Sequence, residues 1–239
     1  MYGYGNMISP SNRLFSGAIN PLWDGLLAYY TADNTPNDAL GTYNGTLVNG
    51  ATYGTGIINQ GFSFDKVNDF IDLGDNFEFD GSTPFSVSLW VKPTTVTGSQ
   101  TLFSKIASNA PSYSGYQIQL LNNNIRFQII SDFNTGDYLT KKRSLIIVAN
   151  TWYHVVLTYD GSKDTSGVNL YINGSNGTYN EDVNTLTNNI SNNTLKACIG
   201  SGNGSYYTGG IIDEVGVWDR ELTESEVTEL YNSGSGLQY

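Results

Sequence analysis

A chain of 239 residues, 39% hydrophobic and 14% charged, can bury the core of one large domain, and it holds no run apolar enough to insert into a membrane. With 11 basic residues against 22 acidic and a net charge of -11, it offers no phosphate-neutralising patch, so nucleic acid is excluded as an expected partner. Glycine (27) and tyrosine (17) are plentiful and proline (6) is scarce, which favours strands joined by tight turns over helices.

In chain order, residues 1–22 mix Gly, Asn, Ser and Pro without periodicity and read as an extended or flexible N-terminal arm, with one domain over 23–239. Leu26 to Tyr30 is the first expected strand, leading into a polar loop that holds Asp33, Asn34 and Asp38. The pairs Asn44-Gly45 and Asn49-Gly50 are turn signals around a short strand at Thr46 to Val48. Strands are expected at Gly61–Asp65, Phe70–Leu73 and Phe85–Lys92. In the last of these Phe85, Val87, Leu89 and Val91 share one face. Thr101–Ile106, Tyr116–Leu121, Ile125–Ile130, Ser144–Val148, Trp152–Tyr159 and Val168–Ile172 follow, while Lys141-Lys142-Arg143 reads as a solvated loop and 176–193 as polar and irregular. About a dozen short strands with no dividing linker point to a single sandwich or jelly roll.

The chain closes on a strand through Ile212-Asp213-Glu214-Val215 and then its one convincing helix. Thr223 as N-cap with Glu226 three residues on forms a capping box, and Leu222 with Val227 forms the hydrophobic staple. Cys198 is the only cysteine, a small buried apolar residue by expectation. No secretory leader is visible at the N-terminus.

Several segments, in order, resemble a known family: LLAYYTADNT, GFSFDKVNDFIDLG, FSVSLWVKP, NTWYHVVLTYDG, VNLYINGSNG and GGIIDEVGVWDRELTESEVTELY. The chain from about residue 25 to 233 is similar to the laminin-G-like, concanavalin A-like lectin/glucanase jelly-roll superfamily. That resemblance implies an all-β fold of two antiparallel sheets with one short C-terminal helix. It also implies a structural Ca²⁺, held here by Asp33, Asn34, Asp38 and Asp213, and non-catalytic binding of glycans or protein surfaces.

Sugar binding uses aromatic faces backed by a few polar groups. Tyr206 and Tyr207, in a glycine-rich hairpin, are the first candidates, and Tyr113 and Tyr116 of the SNAPSYSGY loop are the others. The competing structural reading is that these tyrosines pack. Hydrolysis would need two carboxyls about 5 Å apart for a retaining mechanism. Adjacent Asp213 and Glu214 should point to opposite faces of a strand, and Glu78 with Asp80 would share a face. His154, the only histidine, lacks nucleophile or zinc partners and reads as a hydrogen-bonded strand residue. The expected function is a non-catalytic glycan- or surface-binding protein. The missing leader, the missing disulfide and the arm suggest display on a bacteriophage virion, or an extracellular site after lysis, with the arm contacting neighbouring subunits. A purely structural subunit, a homo-oligomer included, and a glycan hydrolase are the alternatives.

Overall fold

The computed structural model describes residues 14–15, 18–107, 113–191 and 194–239. Residues 1–13 and 16–17 of the expected arm lie outside the described residues. The rest of the arm forms a two-residue ladder, β1 (Leu14–Phe15) against β2 (Ala18–Ile19), and then a 3-10 turn at Pro21–Trp23.

Fifteen further strands follow. They are β3 (Leu26–Tyr30), β4 (Thr46–Val48), β5 (Thr52–Thr55), β6 (Gln60–Asp65) and β7 (Phe70–Asp72), then β8 (Phe85–Pro93), β9 (Ser99–Ile106), β10 (Gly115–Leu121), β11 (Asn124–Asp132) and β12 (Asp137–Arg143). The chain continues through β13 (Tyr153–Tyr159), β14 (Val168–Ile172), β15 (Tyr179–Asn184), β16 (Ala197–Ile199) and β17 (Gly209–Trp218) to the helix α1 (Glu224–Tyr231). One sheet runs β15-β12-β11-β10-β9-β16-β7-β4, and the other runs β14-β13-β8-β17-β6-β5 with β3 also on β17. This is the expected two-sheet antiparallel jelly roll with one C-terminal helix. Among the described residues no helix is long and apolar enough to cross a membrane.

The core between the sheets follows from period-two alternation. Phe85, Val87, Leu89 and Val91 of β8 meet Ile118, Leu120, Phe127 and Ile129 of β10 and β11, all of them buried. Ser86, Ser88 and Trp90, on the other face of β8, are buried as well. A second, smaller core covers that face, built from Leu22, Tyr29, Val156, Trp218, Leu222, Val227 and Leu230. The helix supplies its part because the capping box forms: Glu226 N–H donates to Thr223 Oγ1 at 3.3 Å and Thr223 N–H to Glu226 Oε2 at 2.8 Å. Burying Val227 and Leu230 stabilises the docked helix by about 1.5–3 kcal/mol each. Arg220 then fastens that layer, donating to Glu226, to the Pro21 carbonyl at 2.8 Å and to the Asp24 carbonyl at 2.6 Å.

His154 is the hydrogen-bonded strand residue expected, with Nε2 2.8 Å from Ser88 Oγ and its ring stacked 5.0 Å from Trp90. Burial pushes its pKa down to about 3. Cys198 is buried, and burial pushes its thiol up to about 12.

Three expectations are corrected. Lys141-Lys142-Arg143 is the end of β12, not a solvated loop. Alternation puts Lys141 and Arg143 on the inward face with Leu139, where each cation donates to carbonyls. Lys141 Nζ donates to Thr165 at 2.6 Å and Val168 at 2.9 Å, and Arg143 donates to Leu170 and Ser175 at 2.6 Å each. The apolar run at 144–148 is a loop that buries only Ile147, because the chain leaves the sheet after Arg143. Within the irregular stretch at 176–193, residues 179–184 pair with β12 as β15.

Candidate functional site

A cleft of about 430 Å³ opens on the face of the eight-stranded sheet turned away from the core. The same alternation that sends Ile118, Leu120, Ile125 and Phe127 inward sends Gln117, Gln119, Arg126 and Gln128 outward. Register sets Gln117 opposite Gln128, Gln119 opposite Arg126, and Gln128 opposite Thr140.

These amides form a wired floor. Gln117 Nε2 donates to Gln128 Oε1 at 3.0 Å, and Gln128 Nε2 donates to Thr140 Oγ1 at 3.0 Å. Gln119 Nε2 reaches Thr101 Oγ1 at 3.4 Å, while Gln119 Oε1 accepts Arg126 Nε at 3.2 Å and a second Arg126 N–H at 2.5 Å. Gln117, Gln119 and Gln128 are 7%, 1% and 5% exposed. A buried amide is costly unless paired, and pairing holds its rotamer. The floor is therefore ordered before any ligand arrives.

Aromatic rings stand around it. Tyr113, Phe133 and Tyr206 line the cleft, with Tyr113 edge-on to Phe133 at 6.1 Å and Phe133 stacked on Tyr138 at 5.2 Å. Phe133 and Tyr206 are about half exposed. Tyr206 adopts φ +53°, a left-handed backbone that a bulky residue keeps only where its surroundings enforce it. Enforcement comes from β9: Thr101 N–H donates to the Tyr206 carbonyl at 2.7 Å, and Thr208 Oγ1 donates to the Thr101 carbonyl at 2.7 Å. No Asp or Glu lines the cleft among the described residues.

Two of the four expected sugar-binding tyrosines, Tyr113 and Tyr206, thus lie in one cleft. Tyr207 does not line it; its ring lies 6.5 Å from Phe70 and is partly buried. Tyr116 is a correction. It sits on the inward face of β10, 1% exposed, with its hydroxyl donating to the Phe77 carbonyl at 2.9 Å, so it is a core residue. Sequence reading missed Gln117, Gln119, Arg126 and Gln128, although YQIQLL and IRFQII carry the signal: polar residues at every second position of two paired strands.

The residues assigned to a cation have other work. Asp38 accepts four backbone N–H groups, from Tyr29 and Leu40 on Oδ1 and from Thr42 and Tyr43 on Oδ2, at 2.9–3.1 Å. Asp33 accepts Gln60 N–H at 3.0 Å and the side chains of Asn59 and Gln238. Asp213 accepts Ile57 N–H at 2.9 Å, Ile58 N–H at 3.2 Å and Glu214 N–H at 2.9 Å. Asn34 is an exposed turn residue with φ +56°. Calcium needs six to eight oxygen ligands. Among the described residues no three His, Cys, Asp or Glu side chains are placed to hold a metal ion. The donors as folded do not fit one.

Asp213 and Glu214 also depart from the expected opposite faces. The ladder between β17 and β8 shifts register between Asp213 and Gly216, and Glu214 takes φ +48°. A bulge re-aims side chains in this way, and here it buries both acids. Burial pushes Asp213 up to about 7 and Glu214 up to about 9. Glu214 Oε1 accepts Gln238 Nε2 at 3.2 Å, and the Tyr29 side chain lies beside the carboxyl. Glu78 and Asp80 do not meet either. Glu78 joins Asp75 on Lys105 Nζ, at 2.6 Å each, while Asp80 accepts from Ser82 and Asn189.

The model of the concanavalin A-like lectin/glucanases superfamily matches residues 64–228. The chain belongs to that superfamily. No curated protein sequence matches it. Among solved structures it is similar to domain 4 of a GH43 extracellular arabinanase from Geobacillus stearothermophilus, solved in complex with arabinotriose. The two share 24% identity with a TM-score of 0.64, over 85% of this chain and 97% of that one. It is also similar to the binding domain of Paraclostridial mosquitocidal protein 1, at 23% identity and a TM-score of 0.68, over 89% of this chain and 53% of that one. The botulinum neurotoxin serotype D ligand-binding domain, solved with N-acetylneuraminic acid, gives 20% identity and 0.63, over 87% and 51%. This superfamily member thus spans nearly all of the arabinanase domain and about half of the toxin domains. At these identities the likeness is one of fold.

Proposed function

We propose that this superfamily member is a non-catalytic glycan-binding domain and that the cleft over β10 and β11 is its binding site. One observation carries the proposal: a pre-ordered row of side-chain amides, Gln117, Gln119 and Gln128, lies between exposed aromatic rings on an outward sheet face. Sugar hydroxyls need paired donors and acceptors and sugar ring faces need aromatic platforms, and this cleft offers both. Two similarly folded proteins were solved with arabinotriose and with N-acetylneuraminic acid, which supports the reading. The lack of lining carboxylates among the described residues favours binding over hydrolysis, which would need a pair of them. Display on a virion rests on the sequence features alone and draws no support from the cleft.

The test is calorimetric titration with arabino-oligosaccharides and a panel of plant, bacterial and sialylated oligosaccharides. At least one should bind, and Tyr206→Ala and Gln128→Ala should each weaken it about tenfold or more, as expected for losing one stacked ring or one hydrogen-bonded amide. Tyr116→Phe should leave affinity unchanged. Binding by no member of the panel, or binding indifferent to Tyr206 and Gln128, overturns the assignment. Release of shorter products over time would restore the hydrolase.

A further inference from the structure

We propose that Asn176-Gly177 is a self-modifying site, where the fold drives closure of the Asn176 side chain onto the amide nitrogen of Gly177 and leaves aspartate or isoaspartate at position 176.

The chemistry needs no partner but water. The Gly177 nitrogen gives its proton to solvent and bonds to Asn176 Cγ. The bond from Cγ to Nδ2 breaks, and Nδ2 takes up a proton and departs as ammonia. Water then opens the cyclic imide at either of its carbonyls. The net change consumes one amide and one water and yields one carboxyl group and one ammonia.

Five Asn-Gly pairs occur in the chain, at Asn44, Asn49, Asn173, Asn176 and Asn203. The fold treats them differently. Gly45 N–H donates to the Pro36 carbonyl at 2.9 Å, Gly50 N–H to Asp69 Oδ1 at 2.7 Å and Gly204 N–H to Ser201 Oγ at 2.9 Å, so these nitrogens are held by other groups. Asn173 turns its Oδ1 to His154 N–H at 2.9 Å. At Asn176 the glycine N–H donates instead to the Oδ1 of its own asparagine, at 2.8 Å. That contact holds the nucleophile against the carboxamide it attacks, the positioning on which ring closure depends.

The surroundings favour the reaction. The Tyr179 hydroxyl donates to the same Asn176 Oδ1 at 2.6 Å, where negative charge develops as Cγ becomes tetrahedral. That hydroxyl accepts Leu170 N–H at 3.1 Å, which fixes the donor in place. The Arg143 guanidinium lies so close to Gly177 that a side chain there would overlap it. A cation at that distance favours the anion formed when the Gly177 amide loses its proton. Asn176 and Gly177 are exposed and lie between β14 and β15, outside any strand, so water reaches the imide.

The experiment is peptide mapping by mass spectrometry after incubation at pH 8, on the folded protein and on the same protein in urea. Isoaspartate is counted by enzymatic methylation. In the folded protein Asn176 should convert at least about tenfold faster than each of the other four asparagines, and faster than it does in urea, where the five rates should draw together. Tyr179→Phe should slow Asn176 by about tenfold or more and leave the other four as they are, with an unchanged melting temperature showing that the variant is folded. If that variant melts early, the comparison of folded and urea-unfolded wild type decides by itself. A folded Asn176 that converts no faster than the other four, or no faster than in urea, overturns the inference. So does a folded Tyr179→Phe variant whose Asn176 rate is unchanged.

Discussion

Replacing Glu214 by glutamine should make this protein more stable, and only above mildly acidic pH. Glu214 sits at a bulge in β17, 2% exposed, with Asp213 and Asp33 as its charged neighbours, and neither Asp213 nor Glu214 forms an ion pair among the described residues. Burial is the first cause that pushes its pKa from 4.5 to about 9, and the charges of Asp213 and Asp33 add to it. For an acid raised in the folded state, stability is fully present below the unfolded pKa and is lost as pH rises toward the folded one. Between pH 4.5 and 7 the unfolded chain releases a proton that the folded chain keeps. Each pH unit of that gap is worth about 1.4 kcal/mol, so Glu214 lowers stability at pH 7 by about 3 kcal/mol. Glutamine keeps the shape and the acceptor for Gln238 but does not titrate. Urea unfolding followed by tryptophan fluorescence should show Glu214→Gln stabilised by about 3 kcal/mol at pH 7 and matched to wild type at pH 4. The melting temperature at pH 7 should rise by about 6–12 °C for a chain of this size. A difference equal at both pH values, or a variant weakened at pH 7, would refute a protonated, buried Glu214.

Three further outcomes follow from the same structure. His154, pushed down to about 3 by burial, should cost stability as pH falls below 6.5. Relative to His154→Gln, the wild type should therefore lose about 1.4 kcal/mol per pH unit from 6.5 toward 4, read by urea unfolding. Arg220→Ala removes the bidentate contact to Glu226 and four backbone carbonyl partners at the helix layer; a loss of about 2–4 kcal/mol in the same assay is expected, against none if α1 docks independently of Arg220. Because the oxygens of Asp33, Asp38 and Asp213 already accept amide hydrogen bonds, melting in chelator and in added calcium should coincide; a rise with calcium would establish a native-state ligand.

The fold was legible because its strongest signals are local. Alternation in FSVSLWVKP, the Asn49-Gly50 turn and the Thr223/Glu226 box each report a short stretch of backbone, and each is present as read, whereas Asn44-Gly45 forms no turn. Strands β5, β12 and β15 were not legible, because TYGT, DYLTKKR and YNEDVN are polar and draw their order from pairing with neighbours. The cleft was half legible. Tyr113 and Tyr206 stood out as loop aromatics, whereas Tyr116 was mistaken for one because loop and strand meet at Gly115. The amide floor needed the register between β10 and β11, which no single segment carries.

The acid excess misleads for a physical reason. Asp in this chain is above all a turn acceptor. Asp38 takes four backbone N–H groups, Asp69 takes Gly50 and Asp65, Asp137 takes Thr187 and Asn188, and Asp164 takes Ser166. A loop rich in Asp and Asn has the same composition whether its oxygens cap backbone or coordinate a cation, so composition cannot separate the two. Turns lie at strand ends, and strand faces between them take residues that suit a pleated surface. The carboxylates named above accordingly serve turns, and the outward faces of β10 and β11 at the cleft carry Gln117, Gln119, Arg126 and Gln128. A chain with a net charge of -11 thereby presents a cleft whose lining, among the described residues, is free of carboxylates. Under the glycan-binding role proposed for this face, sugar hydroxyls would meet side-chain amides, where hydrolysis would require a pair of carboxylates.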